Sequence, residues 1–237
     1  MVDFHSHILP EMDDGSSSPE ESFKMLEMSA GQGINHIFAT SHFYPDEEDP
    51  ASFLRRRAEA YEKLMAYISG LEERPEIPEI HLGAEIYYFP GISDCREIKD
   101  LEMGDTGLLL VEPPVMPFSS VMLDEIEAIS DTLRRVPVLA HLDRYCRLLR
   151  DYSLFHLLAQ RRILVQVNAT FFLHPDKSAF AMDMLRRRMF QLIGSDCHNV
   201  TDRPPNIGFA AAKIRENNLQ KDLAILSDNG YNVLTLR

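Results

Sequence analysis

Long apolar runs are missing from this chain. Among its 237 residues no stretch approaches the ~18 consecutive apolar residues that a membrane helix needs. The start is no better suited to export, because Asp3, His5 and His7 stand where a signal peptide carries first a basic and then an apolar region. The expectation is a cytoplasmic protein with no stable membrane insertion. Cysteine is scarce: Cys95, Cys146 and Cys197 show neither zinc-type pairing nor a disulfide framework, which fits a reducing compartment. Positive charge is short too. The chain has 24 Lys and Arg against 37 Asp and Glu, a net charge of −13, and a nucleic-acid or anionic-membrane surface needs the opposite balance. An anionic small target stays open, since bound metal ions reverse the local charge of a site. Linkers and low-complexity stretches are also absent, so residues 1–237 read as one domain.

What is present is an alternation. Short apolar runs at Val2–Phe4, His36–Thr40, Ile80–Ala84, Gly107–Val111, Val136–Ala140, Ile163–Val167 and Gln191–Gly194 read as seven strands. Helical patterns separate them. Ser18, Pro19 and Glu21 spell an N-cap, an N1 proline and a capping box for a helix ending near Gly31 and Gly33. Leu54, Ala58, Tyr61, Met65 and Ile68 recur at helical spacing, as do Met122, Ile126, Ile129 and Leu133. A Leu-rich helix covers Tyr152 to Ala159, and the tail from Asn206 reads as one or two amphipathic helices. The acidic stretch Asp46–Asp49 reads as a solvated loop. Seven β/α units in a chain of this length favour an α/β fold of the barrel type over an open doubly wound sheet.

The strand ends carry the chemistry. The runs close on His5 and His7, on His42, Glu85, Glu112 and His141, and on Asp196 and His198. Residues two apart on a strand share a side, so His5 and His7 can reach one metal ion. Five of the nine histidines thus fall at the end that carries the active site in parallel α/β folds. His36 and His81 begin their strands at the opposite end and read as surface or structural histidines, as does His156; His174 borders the site at most. Any one such residue is ordinarily a hydrogen-bonded loop residue. Eight on one face would be costly to bury without counter-charge, and metal coordination resolves that cost. Mixed imidazole and carboxylate donors suit manganese, iron or zinc, and magnesium less well.

The segments FHSHILPEMDDG (4–15), ATSHF (39–43), GAEIYY (83–88), LLVEPP (109–114), AHLDRY (140–145), and SDCHN with DRPP (195–205) resemble the PHP (polymerase and histidinol phosphatase) superfamily. Within it, the chain looks like the bacterial manganese-dependent tyrosine-protein phosphatases of capsule and exopolysaccharide loci. The resemblance spans Val2 to Pro205 and implies a distorted (β/α)7 TIM-like barrel. It also implies three divalent ions, Mn2+ first among them, held by His5, His7, Asp14, His42, Glu85, Glu112, His141, Asp196 and His198. Asp14 enters through the resemblance alone, since DDG (13–15) by itself reads as a turn, and Asp13 is taken as its bland neighbour. His5 and His7 would hold one ion with Glu85 and Asp196 as co-ligands.

The expected reaction is phosphomonoester hydrolysis. Glu85 would bridge two ions that share a hydroxide, and metal binding brings the pKa of water down to ~7. That hydroxide would attack phosphorus in line. Arg144 and Arg203 follow ligands closely and are candidate phosphate clamps, since guanidinium forks match phosphate oxygens. Asp14 or a bound water would protonate the leaving group. The implied partner is a phosphotyrosine protein, a bacterial tyrosine kinase in the first place. An acidic rim at Asp46–Asp49 disfavours acidic peptides, and Tyr87, Tyr88 and Phe89 serve either as an aromatic wall or as packing.

Four other readings compete with this one. Cys197 and Arg203 satisfy Cys-x5-Arg, but the intervening residues lack glycine and include Asp202, unlike an anion-cradling loop. An amidohydrolase would place a lysine where Glu112 stands. A non-catalytic metal-bound scaffold is disfavoured by the complete ligand set. A small-molecule phosphatase of the histidinol-phosphate type is the serious alternative, because it needs the same metals and clamps.

Overall fold

The computed structural model describes residues 1–73, 76–115, 119–147 and 153–235. Among the described residues nine strands form: β1 Val2–Ser6, β2 His36–Ala39, β3 His42–Phe43, β4 Glu79–Leu82, β5 Glu85–Tyr87, β6 Leu108–Glu112, β7 Val136–Leu139, β8 Leu164–Asn168 and β9 Leu192–Gly194. All named pairings are parallel, in the orders β1-β2-β4 and β3-β5-β6-β7-β8-β9. β2 runs on into β3 and β4 into β5, with Gly83 N donating to Ala39 O at 2.9 Å and Glu85 N to Ser41 O at 3.0 Å across the breaks. The ring closes where Asp196 N donates to His5 O (2.7 Å) and His7 N to Cys197 O (2.9 Å). Seven strand positions therefore make a distorted (β/α)7 barrel.

The expected third strand, Ile80–Ala84, is broken rather than continuous. At Gly83 a Cβ would stand 3.3 Å from Met103 Cα and 3.4 Å from Thr40 Cγ2, so the chain passes here at contact distance and its pleat resets. Glu85 consequently opens β5 instead of closing a strand.

Among the described residues the ring is accompanied by eight α-helices: α1 Pro19–Gly31, α2 Pro50–Ser69, α3 Ser120–Thr132, α4 Ser153–Leu158, α5 Thr170–Leu173, α6 Ser178–Arg186, α7 Ile207–Glu216 and α8 Gln220–Thr235. Tyr152, the expected start of α4, lies outside the described residues. Ser18 Oγ caps α1 by accepting from Glu21 N at 3.2 Å. The return half of the box is displaced, because the Glu21 carboxylate accepts from Ser17 N and Ser17 Oγ. The acidic stretch is not merely a solvated loop. Asp49 caps α2 by accepting from Ser52 N at 3.0 Å, and Glu48 pairs with Arg56. Among the described residues no helix is long and apolar enough to cross a membrane.

The strands are apolar on both faces because both are covered. Ile37, Leu109, Val111, Leu139, Val165, Val167 and Ile193 pack outward among the helices. Val2, Phe4, Phe38, Leu108, Leu110, Val138, Ala140 and Leu192 form a second cluster that fills the barrel interior. Val233 of α8 joins that cluster, and Tyr231 Oη accepts from the Met1 ammonium at 3.0 Å. α8 therefore covers the end where the strands begin, and the end where they finish is left for the site.

Candidate metal centre

The strand ends bring all eight expected residues, and Asp14, to one mouth. His5, His7, Glu85, His141, Asp196 and His198 are buried; His42 and Glu112 are partly so, and the Asp14 side chain is 67% exposed. Two of them sit on strained backbone, His141 at φ +34° and Asp196 at φ +54°. A left-handed kink at a non-glycine residue costs on the order of 1–3 kcal/mol, and here each kink follows a strand and turns a ligand-type side chain into the mouth. Gly194 is required for a different reason: a Cβ there would lie 2.5 Å from His5 Cβ and 2.7 Å from Gln166 Nε2.

The donor atoms converge in overlapping groups. His5 Nε2 lies 3.1 Å from His7 Nε2 and 3.7 Å from Asp196 Oδ1, which is 3.6 Å from His7 Nε2. His42 Nδ1 is 3.0 Å from Glu85 Oε2 and 3.8 Å from Glu112 Oε2. Asp14 Oδ1 is 3.4 Å from His198 Nε2 and 3.6 Å from His42 Nε2, with His7 completing that group. Glu85 stands between them, its Oε2 also 3.2 Å from His5 Nε2 and 3.5 Å from His7 Nε2. His141 Nε2 approaches Glu85 Oε1 at 2.8 Å and Glu112 Oε1 at 3.1 Å. Metal–ligand bonds of about 2.0–2.2 Å separate neighbouring donors by about 3–3.5 Å.

A test of fit is whether these atoms satisfy one another. They do not. Three of them, His42 Nδ1, Glu85 Oε2 and His198 Nε2, are buried without a hydrogen-bond partner. His42 Nδ1 and Glu85 Oε2 lie close but out of hydrogen-bonding alignment, as two donors aimed at a common third atom would be. Each orphaned buried group costs about 1–3 kcal/mol, so the donor set fits divalent cations better than it fits itself.

The electrostatics agree. Burial raises the carboxyl of Glu85, but the imidazoles of His5, His141 and His42 outweigh it and hold the group well below the usual carboxylate range. Burial likewise raises Asp196, and His5, His7 and Arg144 more than reverse it. Burial lowers His7, yet the Asp13 and Glu85 carboxylates carry it up to about 10; His141 is carried to about 9 by Glu112 and Glu85 against the same desolvation. His198 goes the other way, to about 4, through burial and the neighbouring His7 and Arg203. Protonated imidazoles thus supply the positive charge that cations would supply, and metal binding releases protons from such ligands.

Arg144 donates to Asp196 Oδ2 at 2.6 Å and to Glu112 Oε1 at 3.2 Å; Arg203 donates to Asp196 Oδ1 at 2.7 Å. Both line a cavity of about 290 Å³ with Lys177 and Asn168. Tyr44 stacks on His42 at 5.2 Å and meets Tyr87 at 5.8 Å, whereas Tyr88 turns away and donates to Glu125 Oε2 at 2.5 Å.

Several contributors escaped the sequence reading. Asp13 is no bland neighbour: its Oδ2 pairs with His7 Nδ1 at 2.7 Å and accepts from His42 N at 2.8 Å, orienting two site histidines. Gln166 Oε1 accepts from His141 N at 2.6 Å, its Nε2 donates to Asn168 Oδ1, and Asn168 Nδ2 donates to Asp196 Oδ2. Two polar residues on one face of an otherwise apolar strand were the available signal. Lys177 carried none. Cys197, the other half of the coincidental Cys-x5-Arg, is fully buried, and burial beside Asp3 pushes its thiol far up. A thiol in that state is not a nucleophile at neutral pH.

A parallel β/α barrel whose strand ends gather histidines and carboxylates at metal-ligand spacing belongs to the architecture of metal-dependent hydrolases. Within that class the chain belongs to the family described as Capsular polysaccharide synthesis, CpsB/CapC, which matches residues 1–235. It is 30% identical over 226 residues to the tyrosine-protein phosphatase CpsB of Streptococcus pneumoniae, covering 86% of each chain. It is 27% identical over 213 residues to the tyrosine-protein phosphatase YwqE of Bacillus subtilis, covering 86% of this chain and 79% of that one. In fold it is similar to the crystal structures of YwqE from Bacillus subtilis and CpsB from Streptococcus pneumoniae, called metal-dependent tyrosine phosphatases. The TM-score is 0.83 at 23% identity, covering 100% of this chain and 95% of the other. The inactive dihydroorotase-like domain of a Chaetomium thermophilum CAD-like protein shares the barrel more distantly, with a TM-score of 0.52 at 12% identity, covering 100% of this chain and 78% of the other. The resemblance carried by the six segments is borne out at the level of family and barrel.

Proposed function

We propose that the chain is a metal-dependent tyrosine-protein phosphatase acting in capsular or exopolysaccharide synthesis, with a phosphorylated bacterial tyrosine kinase as its substrate. The observation that carries this reading is Glu85, buried between four imidazoles with an oxygen that has no hydrogen-bond partner. His5, His7, Asp14, His42, Glu85, Glu112, His141, Asp196 and His198 would hold three divalent cations, manganese first. When bound, such cations supply water activation and charge neutralisation at phosphorus.

The protein's own groups do the rest. Asp13 fixes the His7 tautomer, and Gln166 fixes the backbone at His141. Arg144 and Arg203, held at the mouth by Asp196, grip the phosphoryl oxygens through guanidinium forks. Tyr44 and Tyr87 flank the entrance and offer the phenyl ring a stacking surface. Because a tyrosine leaves as a phenolate of pKa about 10, it needs little protonation, and Asp14 is assigned to ligation. Glu47 at the rim favours basic residues around the phosphotyrosine.

The test is turnover of a phosphotyrosine peptide against histidinol phosphate, with manganese and with chelator. Peptide turnover lost to chelator and restored by manganese is expected. Turnover of histidinol phosphate alone would move the protein to the small-molecule branch, and chelator-insensitive turnover would end the metal reading.

A further inference from the structure

The opposite end of the barrel carries a second convergence of ligand types. His36 opens β2, and Glu79 and His81 lie two apart on β4. The parallel register pairs His36 with Glu79 and Phe38 with His81, so all three side chains fall on one face. His36 Nδ1 is 3.1 Å from His81 Nε2 and 3.4 Å from Glu79 Oε2, and His81 Nε2 is 3.9 Å from Glu79 Oε1. Donors on a tetrahedral zinc ion with bonds of about 2.0–2.1 Å stand about 3.3 Å apart.

The rings are fixed before any ion arrives. Phe38 stacks on His81 with centroids 4.9 Å apart, and the backbone at Gly104 passes close enough that a Cβ there would meet His81 at 3.6 Å. Tyr231 of α8 meets the His36 ring edge-on at 5.9 Å. The negative charge nearby comes from Glu79 and Asp105, both of which act on His81.

We propose that His36, Glu79 and His81 form a zinc site at the N-terminal end of the barrel, with water in the fourth position. Two imidazoles and one carboxylate with an open fourth position are a donor set that zinc takes. The site is separate from the candidate centre at the other mouth, because the interior layers of Phe4, Phe38, Leu110 and Val138 lie between them. Its effect is structural. A bound ion ties β2 to β4 beside Tyr231, which already holds the Met1 ammonium and Asn35, so it secures the seat of α8.

The experiment measures zinc per chain after equilibration in zinc-buffered solution, for the full chain and for His81→Asn, His36→Asn and Glu79→Gln. The proposal expects the unaltered chain to hold one more zinc than His81→Asn or His36→Asn. Its thermal midpoint should rise with free zinc by several degrees more than theirs. The Glu79 side chain is exposed, so Glu79→Gln guards against misfolding and should weaken the extra zinc at least tenfold. Equal zinc content in all four proteins would overturn the site and leave the pair as a His36–His81 hydrogen bond flanked by Glu79.

Discussion

The two ends of the barrel carry similar side chains in different surroundings. At the C-terminal mouth His5 and His7 are fully buried, Glu85 is buried among them, and three donor atoms have no hydrogen-bond partner. At the N-terminal end Glu79 and His81 repeat the two-residue spacing, but Glu79 is 66% exposed and no atom of the trio is orphaned. In the first setting the carboxylates are desolvated and lean on protonated imidazoles, whose protons bound cations would replace. In the second, water already solvates the carboxylate, and an ion adds stability without being needed for the fold. Burial, more than ligand identity, separates a centre that the protein is built around from a site that it tolerates.

The largest expected effect tests the buried end. Glu85→Gln keeps the shape and one acceptor oxygen but removes the charge on which His5, His42 and His141 converge. Turnover of a phosphotyrosine peptide should fall by about 10²–10³-fold, and bound metal should fall with it. Full turnover with full metal content would show that the mouth does not depend on its central carboxylate, and the contrast with the exposed end would collapse.

Asp13→Asn is smaller and sharper. Asp13 touches no expected ion but sets the orientation of His7 and of the His42 backbone. Loss of such a partner typically costs 10–100-fold in metal affinity. The manganese concentration for half-maximal activity should rise by about that factor, with kcat at saturation largely kept. A loss of kcat that excess manganese does not restore would make Asp13 part of the chemistry.

How far the sequence foretold this follows the same divide. The strand-end residues were legible because apolar runs announce strands and polar residues interrupt them where the runs stop. Asp13 was not, because loop hydrogen bonds have no period and DDG alone reads as a turn. At the far end the sequence placed His36 and His81 where strands begin, but not their meeting with Glu79. His36 and Glu79 meet only through strand register, and nothing local in either segment encodes that pairing. The break between β4 and β5 was equally hidden, because it depends on Met103 packing against Gly83.

Asp3 lies on β1 between the two ends and isolates the cost of burial. Its Oδ1 accepts from His5 N and Ser195 N, while Oδ2 has no hydrogen-bond partner. Burial raises the carboxyl from 3.8 to about 6. Because the folded value is raised, the stability it contributes is full below about pH 4 and is lost as pH rises through about 6. Asp3→Asn keeps the accepting oxygen and removes the charge. In chelator, its melting temperature should exceed that of the unaltered chain at pH 8, by the equivalent of at most about 3 kcal/mol, and the gap should close near pH 4. A gap that does not vary with pH would mean that burial of this charge costs nothing.

The smallest effect is expected at Cys197, and its smallness is the point. The residue sits within the mouth's own loop, between Asp196 and His198, and Arg203 follows at the spacing of a cysteine-dependent phosphatase. What the loop uses is its backbone: Cys197 O accepts from His7 N at 2.9 Å and so closes the barrel between its last and first strands. The thiol is fully buried, burial drives its pKa far up, and Arg203 is engaged with Asp196 rather than with sulfur. Cys197→Ser leaves the carbonyl in place and should change kcat/KM on a phosphotyrosine peptide by less than about twofold in manganese. Activity abolished at unchanged metal content and unchanged melting temperature would instead make sulfur the nucleophile. The buried imidazoles and carboxylates around Glu85 would then need a different explanation.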